Sequence, residues 1–348
     1  MSDESFHPLP ITHYPLPITC STLITDYMSR LVLFAVLLVA AVSSLFAALL
    51  LGTFPVSALQ LVDSVFYPVP GMVHDVIWQL RAPRALAAFA CGGLLAAAGA
   101  LLQVLLRNAL ADPYILGVSS GASLGALFAL TLGAGTLFMN AAALIGALAA
   151  IVIVFGLSFR SSDWNVYRLL LTGVVLATGL SALVSLILVM APQAQVKGML
   201  FWLMGDLAYA GSPAAAWVVL GLVMLYGVVR ATELDLLGLG QYKARSLGVA
   251  VTPLQIGVFF AAALATVAAV MLGGAIGFIG LMVPHAIRLL GVAEYRALLP
   301  LATLLGGSFL TLADTAARTL WAPQQLPVGV LTALIGVPAM LLLLGRKR

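Results

Sequence analysis

Charge is what this sequence has least of. Only 8% of its 348 residues are Asp, Glu, Lys or Arg, while 63% are hydrophobic and the mean hydropathy is +1.14. A soluble domain carries about 25% charged residues, so a water-bathed globule is excluded and a polytopic membrane protein remains. Lysine occurs only at 197, 243 and 347, and none of the three follows a glycine-rich loop. The chain therefore has no Walker A device for cradling the phosphates of ATP. No basic stripe with interleaved aromatics exists, which removes nucleic acid as a partner. The two cysteines are Cys20, in a polar leader, and Cys91, in an apolar run, an arrangement that disfavours a disulfide. His7, His13, His74 and His285 never take metal-ligand spacing on one helix. With no nucleophile–base pair visible either, no catalytic residue, metal site or cofactor is expected in this chain.

What is present in abundance is apolar sequence. A span needs about 20 apolar residues, and the chain reads as ten of them, near 31–51, 82–105, 114–132, 137–159, 167–190, 214–230, 253–272, 276–291, 300–320 and 328–344. Residues 1–28 form a separate leader in which Pro8-Leu9-Pro10-Ile11-Thr12 recurs as Pro15-Leu16-Pro17-Ile18-Thr19. Such a proline-rich stretch should be extended or disordered. Residues 29–348 are then one transmembrane domain. Between the fifth and sixth spans, Gly198–Tyr209 reads as a short amphipathic helix at a membrane surface, with Trp202 and Tyr209 suited to the interface.

The sparse charges orient the spans. With the N-terminus inside, only Arg81, Arg84, Lys197 and Arg318 of the sixteen basic residues fall outside, a clear positive-inside bias. Two readings are open for the outer arginines. They could snorkel to headgroups, or they could form a basic rim that receives an acidic partner. Asp314, four residues before Arg318, could also neutralise it along one helical face.

Several tracts break the apolar pattern. Gly277–Gly291 (GFIGLMVPHAIRLLG) puts two glycines, a proline, a histidine and an arginine into an apolar region. Proline removes a backbone donor and clashes with the preceding turn, so the helix is expected to break or restart here. In a bilayer such a break survives only where protein or water satisfies the freed groups. His285 reads as a hydrogen-bonded packing residue or, less simply, as a ligand. The small-residue run Gly117–Ser123 allows close helix packing. The inner loop 231–252 mixes acids, bases and leucines, with two short helices expected around Gly240. It could lie on lipid or dock into a groove on a cytoplasmic protein, and its mixed charge signs favour docking.

Read together, Arg81-Ala82-Pro83-Arg84, Gly99–Gly121, Leu239–Val249, Gly277–Gly291 and Leu326–Val330 resemble the permease family of type II ABC importers for iron-siderophores, haem and vitamin B12. The resemblance runs from about residue 30 to the C-terminus. It implies an all-α fold of ten transmembrane helices in a bacterial inner membrane, with both termini cytoplasmic. It also implies a second copy of the permease, two cytoplasmic ATPase subunits that bind the ATP, and a periplasmic substrate-binding protein. By the same resemblance Leu236, Leu239, Gly240, Lys243, Arg245, Leu247 and Gly248 belong to the loop that seats in the ATPases. Arg81, Arg84 and Arg318 match positions that pair with acidic residues of the binding protein. The region of Val166 and Tyr167 matches an inner gate. The broken elements add Trp202, Met204, Gly277, Gly280 and Pro284 as candidates to line or hinge the path. The cargo implied is a bulky metal chelate, with an iron-bearing one favoured by family frequency and cobalamin also compatible. The alternative reading is an ion-coupled secondary transporter, whose relay could use only Asp112, Asp206 and Asp314, all near expected span ends.

Overall fold

An apolar chain can satisfy its backbone in lipid by folding each segment into a helix, and the computed structural model shows that solution. It describes residues 20–67, 70–159, 165–208 and 210–345, with no strand among them. In chain order the helices are α1 (Cys20–Leu50), α2 (Ala58–Phe66), α3 (Met72–Asp75), a π turn (Val76–Arg81), α4 (Ala82–Leu105), a 3-10 turn (Pro113–Leu116), α5 (Val118–Thr131) and α6 (Thr136–Ser158). There follow α7 (Val166–Met190), α8 (Gln193–Met204), α9 (Ala214–Val229), α10 (Ala231–Gly238), α11 (Gln241–Ser246), α12 (Val251–Gly273), α13 (Ile279–Leu289), α14 (Tyr295–Thr319) and α15 (Val328–Gly345). Among the described residues, six helical segments are long and apolar enough to cross a membrane. The bent pair α9–α10 adds a seventh, and the shorter α5, α13 and α15 complete the ten expected.

Three boundaries differ from the sequence reading. The leader falls outside the described residues as far as residue 19, and α1 already begins at Cys20. The second span starts at Met72 rather than at residue 82, because the π turn carries the helix through Pro83. There the Ala82 amide donates to the Ile77 carbonyl, five residues back, a wide turn of the kind that accommodates local irregularity. The surface helix expected over 198–209 is instead α8, beginning after Pro192 and stopped by Gly205 at φ +80. It docks into the protein: Met199 is fully buried and packs with Leu127 and Val184.

Helix α4 is the axis of the bundle. Its span is 94% buried, against 22% for α1 and 11% for α7, which face outward. It packs against α14, α12, α13, α9 and α1. Lipid tails are as apolar as leucine, so helices associate in membranes through van der Waals contact and close backbone approach. Alanine and glycine in α4 permit that approach. A Cβ on Gly99 would collide with the Gly280 carbonyl of α13, and one on Gly92 with the Gly306 carbonyl of α14. The α5–α6 pair uses the same device, with Gly121 against Gly146 and Gly125 against Ala142.

The break expected around Pro284 lies upstream of it. Helix α12 ends at Gly273, Gly274 takes φ +69, Phe278 takes φ +71, and α13 starts at Ile279 with Pro284 inside it. The Tyr114 hydroxyl bridges the break, donating to the Ile276 carbonyl at 2.9 Å and accepting from the Ile276 amide at 2.8 Å.

Substituting valine for Gly99 should prevent the α4–α13 approach and cost about 1–3 kcal/mol or more, as overpacking does. Gly221→Ala, at a site with no neighbour within 4 Å of the new Cβ, should be neutral or slightly stabilising. Thermal melts of the purified protein in detergent compare the two.

Candidate functional site

The buried charges that the bundle tolerates gather at its two ends. At one end the chain leaves α1 and enters α4, and Arg81 lies in the angle between them. It is 4% exposed. Its guanidinium donates to the carbonyls of Leu49 at 2.7 Å and Leu50 at 2.9 Å, and to that of Phe54. The last carbonyls of a helix lack intrahelical partners and carry partial negative charge, so Arg81 is a cap for α1 supplied from the π turn that leads into α4.

Beside it, Asp314 of α14 is 2% exposed and is held by two arginines. Arg84 approaches it with Nη2 at 2.8 Å and Nε at 3.0 Å, a bidentate pair. Arg318 stands at 3.4 Å on the same helix face, the neutralisation anticipated from the i,i+4 spacing, and its Nη2 donates to the Ala48 carbonyl at 3.1 Å. Asp206, at the end of the α8 loop, lies 3.7 Å from Arg84. Burial raises its carboxyl pKa above the usual range, opposed by the Ala208 amide and by Arg84, with Asp314 adding to the rise. The three arginines therefore do share one face, and all line one open cleft of about 360 Å³. They are also committed to internal acceptors, which neither a free rim nor simple snorkelling describes.

Helix α2, between α1 and α3, was missed by the sequence reading. Its signal was present as the capping box Ser57–Gln60, in which each side chain meets the other's backbone amide. It attaches through Ser64, which accepts from Trp78 Nε1 at 2.9 Å.

At the opposite end of α4 the expected loop forms two short helices, α10 and α11, separated at Gly240, where φ is +119. Leu234, Leu237 and Ala244 face inward and are fully buried. Leu239, Tyr242 and Leu247 are 59%, 88% and 61% exposed, with Lys243 and Arg245 exposed beside them. Leu236 is half-buried, and Gly248 closes the element at φ +85. The result is a projecting knob of apolar and basic side chains on a buried footing.

The path and gate candidates fall in separate places. Val166 and Tyr167 open α7, whose N-terminus is capped by Asn165 at 2.9 Å from the Tyr167 amide, and Tyr167 is 83% exposed. Trp202 borders a cavity of about 240 Å³ shared with Met139, Asn140, Asp206 and Met271. Met204 presents its carbonyl to Gly329 of the Leu326–Val330 tract, where a Cβ would collide with it. Gly277 lies half-buried in the α12–α13 break, with nothing within 4 Å of where a Cβ would stand. Gly280 and Pro284 are buried, and Gly280 is wedged against Pro113 and α4, a packing seam rather than a lining.

The three acids of a possible ion relay are dispersed as well. Asp206 and Asp314 lie at the arginine end, whereas Asp112 caps the 3-10 turn by accepting from the Tyr114 amide at 2.8 Å. The next residue, Pro113, packs against Gly280. Asp112 is thus half-buried in the connection between α4 and α5, near the span ends as expected. Among the described residues no cluster of His, Cys, Asp and Glu could hold a metal ion.

Comparison with known proteins meets this geometry. The FecCD transport family model matches residues 33–346. The chain is 38% identical over 286 residues to the uncharacterized ABC transporter permease protein YvrB of Bacillus subtilis, covering 79% of this chain and 80% of that one. It is 38% identical over 288 residues to the vitamin B12 import system permease protein BtuC of Escherichia coli, covering 78% and 84%. Among solved structures, one described as an inward-facing conformation of a transporter of the metal-chelate ABC type aligns with a TM-score of 0.79 at 31% identity, covering 91% of this chain and 99% of that one. PsaBC of Streptococcus pneumoniae aligns with a TM-score of 0.54 at 15% identity, covering 79% of this chain and 95% of that one, a likeness of fold alone.

Replacing Asp314 by alanine would leave Arg84 and Arg318 buried without their shared counter-ion. Breaking such a group by removing one partner costs about 3–5 kcal/mol, so denaturant or thermal unfolding in detergent should shift accordingly. An unchanged midpoint would mean that water already reaches both guanidiniums.

Proposed function

The chain belongs to the FecCD transport family, and from that premise we propose that it carries a bulky metal chelate across a bacterial inner membrane under the power of separate ATPase subunits. As a permease of the metal-chelate or vitamin B12 type of ABC importer, it performs no chemistry on its cargo. The observation that carries the proposal is the α10–α11 knob. Its exposed Leu239, Tyr242 and Leu247, ringed by Lys243 and Arg245, suit an amphipathic helix-in-groove contact, and the chain has no ATP device of its own. ATP-driven closure of two partner ATPases would move these knobs, and two copies of the permease would rock about a shared path.

The opposite end would receive the loaded binding protein. The cleft bounded by Arg81, Arg84 and Arg318 is the place for acidic side chains of that partner, and the three arginines outnumber Asp206 and Asp314 there. Because these arginines also cap α1 and hold Asp314, their docking contribution is local to the cleft, since Asp63 of α2 and Asp75 of α3 offset their charge elsewhere at this end. The knob end is cytoplasmic on the positive-inside distribution of Lys and Arg. Of the cargoes, the iron chelate expected from family frequency gains no support from any residue described. The relatives named for vitamin B12 import favour a corrinoid. Uptake into proteoliposomes with a cobalamin-loaded or a ferric-chelate-loaded binding protein separates them, and transport of the iron chelate alone would reverse the choice.

Charge reversal at Lys243 and Arg245 together should uncouple transport from ATP hydrolysis while the membrane domain keeps its melting temperature. Normal transport with full ATPase coupling in the double variant would remove the docking role.

A further inference from the structure

Helix α14 runs 25 residues, roughly 37 Å at the α-helical rise, and joins the two ends just described. Its N-terminus has an unusual cap. The residue in the N-cap position, Glu294, makes no capping bond and instead pairs with Arg30 of α1 at 2.5 Å. The cap comes from elsewhere in the chain: Asp235 of α10 accepts from the Tyr295 amide at 2.9 Å. A carboxylate at a helix N-terminus meets free amides and the positive end of the helix dipole. The knob helix thus grips the first residue of α14.

Tyr295 is held at its other end as well. Its hydroxyl donates to the Ala100 carbonyl of α4 at 3.0 Å and accepts from Arg288 of α13 at 2.7 Å. Arg288 also donates to Gln103 of α4, whose amide nitrogen donates to the Leu281 carbonyl of α13 at 3.1 Å. At the far end of α14, Asp314 and Arg318 bind Arg84 and the C-terminus of α1.

We propose that α14 is the rod that transmits movement of the α10–α11 knob to the arginine end, with Asp235 and Tyr295 as the positioning residues that attach it. This rests on the importer reading above. Removing the Asp235 carboxylate would free the knob to move without drawing α14 with it.

The test uses the permease reconstituted in nanodiscs with its ATPase and binding protein, and reads the ratio of binding-protein-stimulated to basal ATP hydrolysis. Asp235→Ala should lower that ratio about fivefold or more, the scale of an ordinary coupling free energy. Asp235→Asn, which keeps an acceptor oxygen, should restore part of it. Tyr295→Phe, which keeps the amide and the ring, should fall between Asp235→Ala and wild type. Ser57→Ala removes a cap of similar kind from α2 and should lose stability without changing the ratio. If Asp235→Ala does not assemble, Asp235→Asn and Tyr295→Phe carry the decision. Wild-type ratios in these variants, or an equal fall in Ser57→Ala, would overturn the proposal. A wild-type complex with no stimulation at all would overturn the importer reading and this inference together.

Discussion

The structure depends on one constraint: helices in lipid gain nothing by hiding apolar side chains from one another. Association must come from contact, and contact is closest where side chains are smallest. Helix α4 is built to that rule. Fully buried Ala87, Ala88, Ala90, Ala96, Ala97, Ala98 and Ala100 line it, and Gly92 and Gly99 admit the backbones of α14 and α13 to within carbonyl contact. The outward helices α1 and α7 keep bulky residues such as Phe34 and Leu171 for the bilayer. Hydropathy alone does not mark which helix is buried, because the outward α1 and α7 are slightly more apolar than α4, but residue size does.

The same constraint explains where the charges are. A buried ion needs partners on every side, and only the ends of the bundle offer enough loops and helix termini to supply them. Arg81 satisfies carbonyls that α1 leaves open, Asp314 satisfies two arginines, and Asp235 satisfies an amide that α14 leaves open. Each of these charges completes a helix terminus or another charge. The polar residues of the protein are therefore part of its architecture before they take part in any partnership.

Much of this was legible in the sequence. The ten spans, the two short helices about Gly240 and the Asp314–Arg318 spacing follow from apolar run length, charge mixture and helical period, which are local properties. The family tracts were legible too, since Gly99 and Gly280 lie within two of them. Illegible was what depends on distant pairing. Nothing local says that Arg84 reaches Asp314, 230 residues away, in preference to an external acid. Nor does it say that α8 turns inward, or that the Tyr114 hydroxyl bridges the α12–α13 break. Pro284 misled because it sits inside a continuing helix, α13 having already begun five residues earlier.

Pro284 has a mechanical consequence. A proline six positions into α13 has no amide hydrogen to give to the carbonyl four residues back, and that carbonyl belongs to Gly280. The same oxygen faces the bare Cα of Gly99 on α4, where at most a weak C–H donor meets it. At this point α13 lacks one conventional backbone bond, and the glycine opposite lets the backbone of α4 close on the oxygen that the proline leaves without its donor. The missing bond thus falls on the bundle's own axis, between the break at Gly274–Phe278 and the Arg288 anchor, and close packing against α4 takes the place of the hydrogen bond.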